Sequence, residues 1–405
     1  MRITYRIAGV LMNQFSKITP DGTKDRLFDE CEKRGRFTQA LRAMFESRGF
    51  GEVSTPVLEY YDVFDTARAY FPPESMYKLI DHTGRILILR PDCTIPIARL
   101  VASRLKNEAG PLRIYYNENI YRYADGNSPI SGEIAQMGVE YIGGGLPICD
   151  VEIVELACRS LRSVCGIDYQ LELCHIGYFN ALVDSLNTDV DTREQIRELV
   201  EHKNFPALDQ ILERFEGFPA QRALKKLPAL FGSAAVLDEA RALFSSEAAD
   251  KALDYLAYIY RSLSALGIDS HLTIDLGLVN QADYYTGIIF RGYTAGAGEP
   301  VLSGGRYDGL IKEFGEDRPA TGFGINLDLL CEKAEATAAI KLPSAAVLVD
   351  EASDIRLAFE LLDRLGNQRF CAQLVPVASI EEAGPQNGFD RTFAVTDSES
   401  REVLA

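Results

Sequence analysis

Hydrophobic and polar residues alternate along this chain with two periods, one typical of helices and one typical of strands. Between residues 25 and 49, apolar side chains recur every three or four positions before Gly49, which predicts an amphipathic helix ended by a glycine. Runs rich in β-branched and aromatic residues predict strands, which turns connect more often than regular crossover helices do. The predicted strands are residues 53–60, 86–89, 112–116, 134–142, 169–175, 271–278 and 285–293. Together they predict a large antiparallel sheet.

Helical patterns interrupt this series of strands twice. The first covers residues 150–165, and the second runs from about residue 191 to 266 with Leu, Ile and Phe at helical spacing. We interpret the second as a helical insertion of about residues 188–266 in a domain of residues 1–335.

The pattern changes again after residue 336. One helix, residues 354–365 before Gly366, is predicted among three strands at residues 345–349, 371–377 and 392–395. Residues 336–405 are therefore expected to form a small α/β domain, and the whole chain belongs to the α+β class.

Composition and charge narrow the possible partners. The chain has 405 residues, 47% of them hydrophobic, which is enough for a large buried core. Its formal net charge of −17 repels polyanions, so nucleic acid is not expected as a partner. From Lys341 onward, six basic residues face eleven acidic ones, which is also unfavourable for binding RNA.

Cysteine and histidine spacing excludes several further classes. The eight cysteines occur singly, and the four histidines form no zinc-finger pattern, so we expect neither a disulfide framework nor a bound metal.

No uninterrupted apolar run reaches about 18 residues, the length of a membrane span, and residues 1–15 do not resemble a signal peptide. We expect a cytoplasmic protein with no membrane association and no cofactor.

The predicted strand at residues 134–142 has one polar face and one apolar face. Gln136, Gly138 and Glu140 share the polar face, and the residues between them share the apolar face. A glycine between two long polar side chains leaves space for a ligand against the sheet. A solvent-facing strand with a bulge glycine would show the same pattern.

Two further segments offer polar groups to a ligand. Asp92 and Thr94 follow a strand and could bind an ammonium group, or they could cap the helix predicted at residues 94–105; both roles are compatible. Tyr284 and Tyr285 are adjacent in a predicted strand, so one should face the ligand and the other the sheet packing. Paired tyrosines can also be purely structural.

Taken in order, these segments resemble the amino-acid site of histidyl-tRNA synthetases, which have the class II synthetase fold. The matching segments are residues 89–94, 121–123, 136–140, 283–287 and 303–309. The resemblance covers about residues 20–330 and implies a class II synthetase-like antiparallel sheet flanked by helices. It also relates residues 53–60 to motif 1, on which class II dimers are built, although an edge strand with a proline would look the same.

The resemblance implies a role for each histidine-binding residue. Glu140 and either Tyr284 or Tyr285 would contact the imidazole, and Arg122 would contact the carboxylate. Arg306 is a further candidate, whose alternative role is to brace its glycine-rich turn.

Three other residues would hold the α-ammonium group of the ligand. They are Asp92, Thr94 and Gln136, with Asp92 standing where the synthetases have glutamate. The shorter acid keeps the negative charge but has a shorter reach.

The groups that such enzymes use to activate an amino acid are mostly replaced. Leu329 stands in place of the motif 3 arginine, Ala124 replaces a glutamate, and the loop at residues 125–132 has no cation. The arginine expected near Asn280 for the substrate carboxylate is also replaced. One lost electrostatic donor costs about 10²- to 10³-fold in rate, so we expect no aminoacylation activity.

A synthetase-like chain without these groups, and with a short acidic C-terminal domain, resembles the regulatory subunits of ATP phosphoribosyltransferase. The resemblance implies a dimer that assembles with a short-form catalytic subunit into a hetero-octamer, activates it and transmits histidine feedback in histidine biosynthesis. Two alternatives remain open, a divergent histidyl-tRNA synthetase and a stand-alone histidine-sensing domain. Histidine could bind the synthetase-like pocket or a subunit interface.

Overall fold

A computed structural model of the chain describes residues 17–65, 73–123, 132–166, 168–279, 284–333 and 343–403. The chain divides into two compact units, Met1–Glu335 and Ala336–Ala405. Among the described residues, no helix combines the length and apolar character needed to cross a membrane.

The strands of the larger unit form two sheets. Their bounds are β1 (Gly51–Glu52), β2 (Leu58–Tyr60), β3 (Lys78–Ile80), β4 (Ile86–Leu89), β5 (Leu112–Arg122), β6 (Gly132–Ile142), β7 (Tyr169–His175), β8 (Phe231–Gly232), β9 (Leu272–Asp275), β10 (Ile288–Thr294), β11 (Leu302–Arg306) and β12 (Ala320–Asn326). The main sheet has nine strands in the order β1-β5-β6-β12-β11-β10-β7-β9-β8, and a small sheet has the order β2-β4-β3. From β5 to β7 every neighbouring pair is antiparallel, whereas β1 with β5 and β7 with β9 are parallel. The main sheet is therefore mixed, with the predicted antiparallel part at its centre.

Helices cover the main sheet and make up most of the segment predicted as an insertion, which also contains the short strand β8. Their bounds are α1 (Phe28–Ser47), α2 (Tyr61–Asp65), α3 (Thr94–Arg104), α4 (Pro147–Cys165), α5 (Ile176–Asp184), α6 (Val190–Glu201), α7 (Phe205–Leu212), α8 (Pro219–Lys226), α9 (Ala235–Leu243), α10 (Glu247–Ala265), α11 (Leu310–Glu313) and α12 (Leu327–Lys333). Gly49 follows α1 with a φ of 77°, a left-handed conformation that suits a glycine after a helix.

Each face of the main sheet packs against its own apolar core. On one face, the fully buried Met137 and Val139 of β6 lie in the larger core, which includes side chains of α1, α4 and α10. On the other face, Tyr116 and Tyr307 belong to a separate core with side chains of α3. The alternation predicted along β6 is confirmed, and it directs Glu140 away from the larger core.

The single strand predicted at residues 53–60 is wrong. The chain there forms β1, which pairs with β5 of the main sheet, and β2, which pairs with β4 of the small sheet. Pro56 lies between them and has no N–H to donate to a continuous ladder. The proline therefore stands where the chain leaves one sheet for the other.

The smaller unit is a four-stranded sheet with one helix. Its elements are β13 (Ser344–Val349), α13 (Ile355–Asn367), β14 (Cys371–Pro376), β15 (Arg391–Val395) and β16 (Ser400–Glu402). The strand order is β14-β13-β15-β16, parallel except for the last pair. The prediction that Gly366 ends the helix is wrong, because α13 continues to Asn367 and Arg369 takes the left-handed conformation with a φ of 64°.

Candidate functional site

Glu140 of β6 is the centre of a buried polar cluster. Its side chain is almost fully buried; Thr94 Oγ1 donates a hydrogen bond to Oε1 at 2.8 Å, and the Tyr307 hydroxyl donates to Oε2. Burial raises the pKa of Glu140 to about 8, although both hydroxyl donors oppose the rise. The carboxyl is therefore mostly protonated at neutral pH, and a cationic ligand beside it would favour the ionised form.

A glycine on the neighbouring strand provides the space for this carboxyl. Gly322 of β12 pairs directly with Glu140 in the sheet, and a Cβ at Gly322 would collide with Oε2. Any other residue at position 322 would therefore displace the Glu140 side chain from its present position. The position of the acid thus depends on β12 as much as on β6.

Asp92 lies between β4 and α3, beside the Glu140 cluster. Its Oδ1 accepts a hydrogen bond from the backbone N–H of Ile95 at 2.9 Å, which confirms the predicted role at the start of the helix. Burial raises the pKa of Asp92, while the N–H of Ile95 and the positive charge of Arg122 lower it. Its predicted contact with an ammonium group stays a prediction.

Gln136 is bonded to a tyrosine that the sequence did not single out. The Tyr116 hydroxyl of β5 donates to Gln136 Oε1 at 3.0 Å. A Cβ at Gly138, between Gln136 and Glu140 on the same face, would lie 2.5 Å from that hydroxyl oxygen. The prediction that Gly138 leaves space for a ligand is wrong, because the Tyr116 side chain occupies that space and forms part of the wall of the site.

Tyr284 and Tyr285 lie against each other beside the cluster. Their ring centroids are 4.6 Å apart, and the Tyr284 ring meets the Tyr307 ring edge-on at 5.9 Å. The prediction that they face opposite sides of a strand is wrong, because β10 begins only at Ile288. Burial raises the pKa of both tyrosines, and the negative charges of Asp92 and Glu140 add to the rise.

The two candidate arginines occupy different positions. Arg122 Nε donates to the carbonyl oxygen of Pro91 at 2.8 Å, which holds the guanidinium beside Asp92. Arg306 instead binds Asp150 of α4 at 2.8 and 2.9 Å, on the face of the sheet opposite Glu140. The guanidinium of Arg306 is therefore directed away from the Glu140 cluster.

The positions of the missing catalytic groups are only partly described. Leu329 lies in α12 and packs against the larger core. Residues 124–131 and 280–283, which include Ala124, most of the loop without cations and Asn280, lie outside the described residues. Within the described ranges, no group of three or more His, Cys, Asp or Glu side chains could hold a metal ion.

A cavity of about 620 Å³ lies elsewhere, beside α1 and β5. Its wall includes Arg34 and Gln39 from α1, Asn117 and Asn119 from β5, and Val57. Of the predicted histidine-binding side chains, Thr94 bonds Glu140, and Asp92, Tyr284 and Tyr285 lie close enough for their charges to interact with it. The candidate site is therefore identified by its polar and ionisable side chains and not by the volume of a cavity.

Comparison with known proteins shows the family to which this chain belongs. The family model described as Histidyl-tRNA synthetase matches residues 22–330. The ATP phosphoribosyltransferase regulatory subunit of Clostridium kluyveri is 43% identical over 328 residues, which cover 80% of this chain and 84% of that protein. The chain belongs to the family of ATP phosphoribosyltransferase regulatory subunits.

A second regulatory subunit agrees in sequence, and a solved structure agrees in fold. The ATP phosphoribosyltransferase regulatory subunit of Clostridium botulinum (strain Langeland) is 35% identical, over 90% of this chain and 87% of its own. A crystal structure described as an ATP phosphoribosyltransferase regulatory subunit/histidyl-tRNA synthetase from Bacillus halodurans C superposes with a TM-score of 0.80 at 29% identity, covering 90% of this chain and 95% of that one. The predicted synthetase-like fold is confirmed.

Proposed function

We propose that this chain is a non-catalytic regulatory subunit that assembles with a short-form ATP phosphoribosyltransferase catalytic subunit. It activates that partner in the first step of histidine biosynthesis and takes part in histidine feedback. The observation that carries the proposal is the buried Glu140 carboxyl, held by Thr94 and Tyr307 beside the buried Asp92. Two buried acids suit a ligand that brings two cationic or hydrogen-donating groups, as the ammonium and imidazole of histidine do.

Each group of the ligand has a proposed partner in this cluster. Glu140 and Tyr284 or Tyr285 bind the imidazole, and Arg122 binds the carboxylate. The α-ammonium group is bound by Asp92, Thr94 and Gln136. We assign Arg306 to bracing, because its guanidinium is bonded to Asp150.

Regulation of this kind needs no chemistry in the chain itself. Histidine need only bind two states of the assembly unequally, by about 1–3 kcal/mol. Leu329, which stands where the enzymes of this fold carry an arginine, supports a receptor that does not activate its amino acid. The proposal therefore includes no cofactor, metal or nucleic acid.

The small sheet supports the proposed dimer. Its outer face carries five apolar positions that are neighbours in the sheet: Leu58, Tyr60, Leu79, Leu87 and Leu89. Leu58, Tyr60 and Leu79 are 43–47% exposed in the single chain. A contiguous apolar face of this kind is typical of an association surface, and we assign it to a second copy of the chain. Such dimers would join the catalytic subunit in a cytoplasmic hetero-octamer.

The proposal is tested by mixing the purified chain with a short-form catalytic subunit and measuring phosphoribosyl transfer with and without histidine. We expect a faster reaction with the chain present, and inhibition by histidine. An unchanged rate would contradict the proposal, and histidine binding without any effect on the partner would favour a stand-alone sensor. Histidine-dependent exchange of pyrophosphate into ATP would instead favour a divergent synthetase.

A further inference from the structure

A second buried polar cluster lies on the sheet face opposite Glu140. Arg306, at the end of β11, donates to both carboxylate oxygens of Asp150, from Nε at 2.8 Å and from Nη2 at 2.9 Å. Nη2 also donates to the carbonyl oxygen of Gly144 at 3.1 Å, and Nη1 donates to Asp308 Oδ1 at 3.0 Å. Asp150 itself is fully buried. A bidentate ion pair of this kind fixes both partners in one geometry.

The same carboxylate reaches the helical insertion. The hydroxyl of Tyr255, from α10, donates to Asp150 Oδ2 at 2.5 Å. The Tyr255 ring meets the ring of His175 edge-on, with centroids 5.3 Å apart. Burial lowers the pKa of His175 to about 4, so the neutral ring accepts the N–H of Gly177 and caps α5. Asp150 thus connects the sheet with two helices.

Arg306 is also connected to the amino-acid site through its backbone. The next residue is Tyr307, which bonds Glu140, and the Arg306 carbonyl accepts the N–H of Thr286 at 2.8 Å. Thr286 follows the tyrosine pair directly, and its Oγ1 accepts the N–H of Asp308 at 2.9 Å. A displacement of Tyr307 or of the tyrosine pair therefore acts on Arg306.

We infer that Arg306, Asp150 and Tyr255 form a relay that transmits occupancy of the amino-acid site to helix α10 of the insertion. The inference rests on the proposed function, which supplies histidine as the ligand. Arg306 and Asp150 are both buried, so separating them would leave an uncompensated charge, and they move together. Tyr255 then passes the displacement to α10.

The relay is tested by amide hydrogen exchange of the full chain with and without L-histidine. The test variant is Tyr255→Phe, which keeps the ring against His175 and removes only the hydroxyl. Tyr258→Phe, an exposed tyrosine on the same helix, is the matched control. In the wild type and the control we expect histidine to slow exchange in α10 by about fivefold or more. Tyr255→Phe should lose this effect in α10 while histidine still protects β6.

The outcomes separate the relay from the proposed function. Protection of β6 without protection of α10 in the wild type would overturn the relay alone, as would full protection of α10 in Tyr255→Phe. Absence of histidine protection anywhere in the wild type would overturn the proposed function and the relay with it. Each variant is compared with its own ligand-free state, so a change that the substitution causes in ligand-free exchange is not counted as an effect of histidine.

Discussion

The Tyr307 hydroxyl donates a hydrogen bond to Oε2 of Glu140 across the intervening strand β12. Two features of the sheet make this contact possible: β11 ends just before Tyr307, and Gly322 of β12 leaves the space between the two side chains. The contact joins the glycine-rich segment of residues 303–309 to the polar strand of residues 136–140. These are two of the segments on which the resemblance to histidyl-tRNA synthetases rests.

Removing the Tyr307 hydroxyl should weaken histidine binding. The hydroxyl lowers the pKa of Glu140, so Tyr307→Phe leaves the ionised carboxylate with one donor fewer. A hydrogen bond contributes about 0.5–1.5 kcal/mol, which corresponds to a loss of affinity of about twofold to twelvefold. Titration calorimetry measures this loss, with the exposed Tyr258→Phe as control. Equal affinity in both variants would contradict the assigned contact.

The buried carboxyl of Glu140 should make stability depend on pH. Its pKa is about 8 in the folded chain, against an ordinary value of 4.5 for a glutamate side chain, so between these values the folded state holds a proton that the unfolded state has released. Stability should therefore fall as pH rises from about 4.5 to 8, by up to about 1.4 kcal/mol per pH unit.

Glu140→Gln tests this pH dependence, because the amide does not titrate. Denaturant unfolding of the variant from pH 5 to pH 8 should show a smaller loss of stability than that of the wild type. Glu108→Gln, at an exposed acid, should keep the wild-type slope. The same slope in all three proteins would show that Glu140 is ionised in the folded state.

A side chain at position 138 should disrupt the wall of the site. The Cβ of Gly138→Ala would collide with the Phe323 carbonyl oxygen and lie 2.5 Å from the Tyr116 hydroxyl oxygen. Overpacking of this kind costs about 1–3 kcal/mol, and the displaced Tyr116 would release Gln136. Gly298→Ala, where a Cβ would meet nothing within 4 Å, is the control. Chemical denaturation and histidine titration should separate the two variants, and equal behaviour would contradict the packing described.

Breaking the ion pair of Arg306 with Asp150 should be costly. Arg306→Met leaves a fully buried carboxylate without its cation, which costs about 3–5 kcal/mol of folding free energy. Lys312→Gln breaks an exposed pair with Asp317 and should cost at most about 1 kcal/mol. Denaturant unfolding of both variants measures the contrast. Similar losses would mean that Arg306 does not brace the fold.

A charge on the outer face of the small sheet should dissociate the proposed dimer. Leu79→Lys places a cation among the five apolar positions of that face. Leu266→Lys, at an exposed leucine just after α10, serves as the matched control. Sedimentation velocity should give a monomer for the first variant and a dimer for the second. A dimer in both cases would place the self-association surface elsewhere.

Features that depend on local periodicity could be predicted from the sequence. The alternation along β6 assigns Glu140 and Met137 to opposite faces because successive side chains of a strand always do so. The same rule failed for Tyr284 and Tyr285, which precede the strand. Tyr307 likewise lies just beyond the end of β11, so the strand rule could not assign its direction either.

Other features depend on contacts between distant segments and could not be predicted from one sequence. Tyr116 reaches the site because it pairs with Gly138 in the β5–β6 register. Asp150 and Tyr255 meet Arg306 only through packing of α4 and α10 on the sheet. A glycine and an acid can be recognised in a sequence, but the register and packing that bring their partners to them appear only in the fold.

The central claim, that histidine in the Glu140 site regulates a partner enzyme, is tested most directly by histidine inhibition of the reconstituted assembly. Phosphoribosyl transfer would be measured against histidine concentration with the wild-type chain and with Glu140→Ala. Tyr285→Phe serves as a second, milder variant. Activation without histidine, retained in both variants, shows that they fold and assemble. The account predicts that half-inhibition of the assembly with Glu140→Ala needs a histidine concentration at least about tenfold higher than the wild-type assembly needs. Unchanged inhibition in both variants would contradict it.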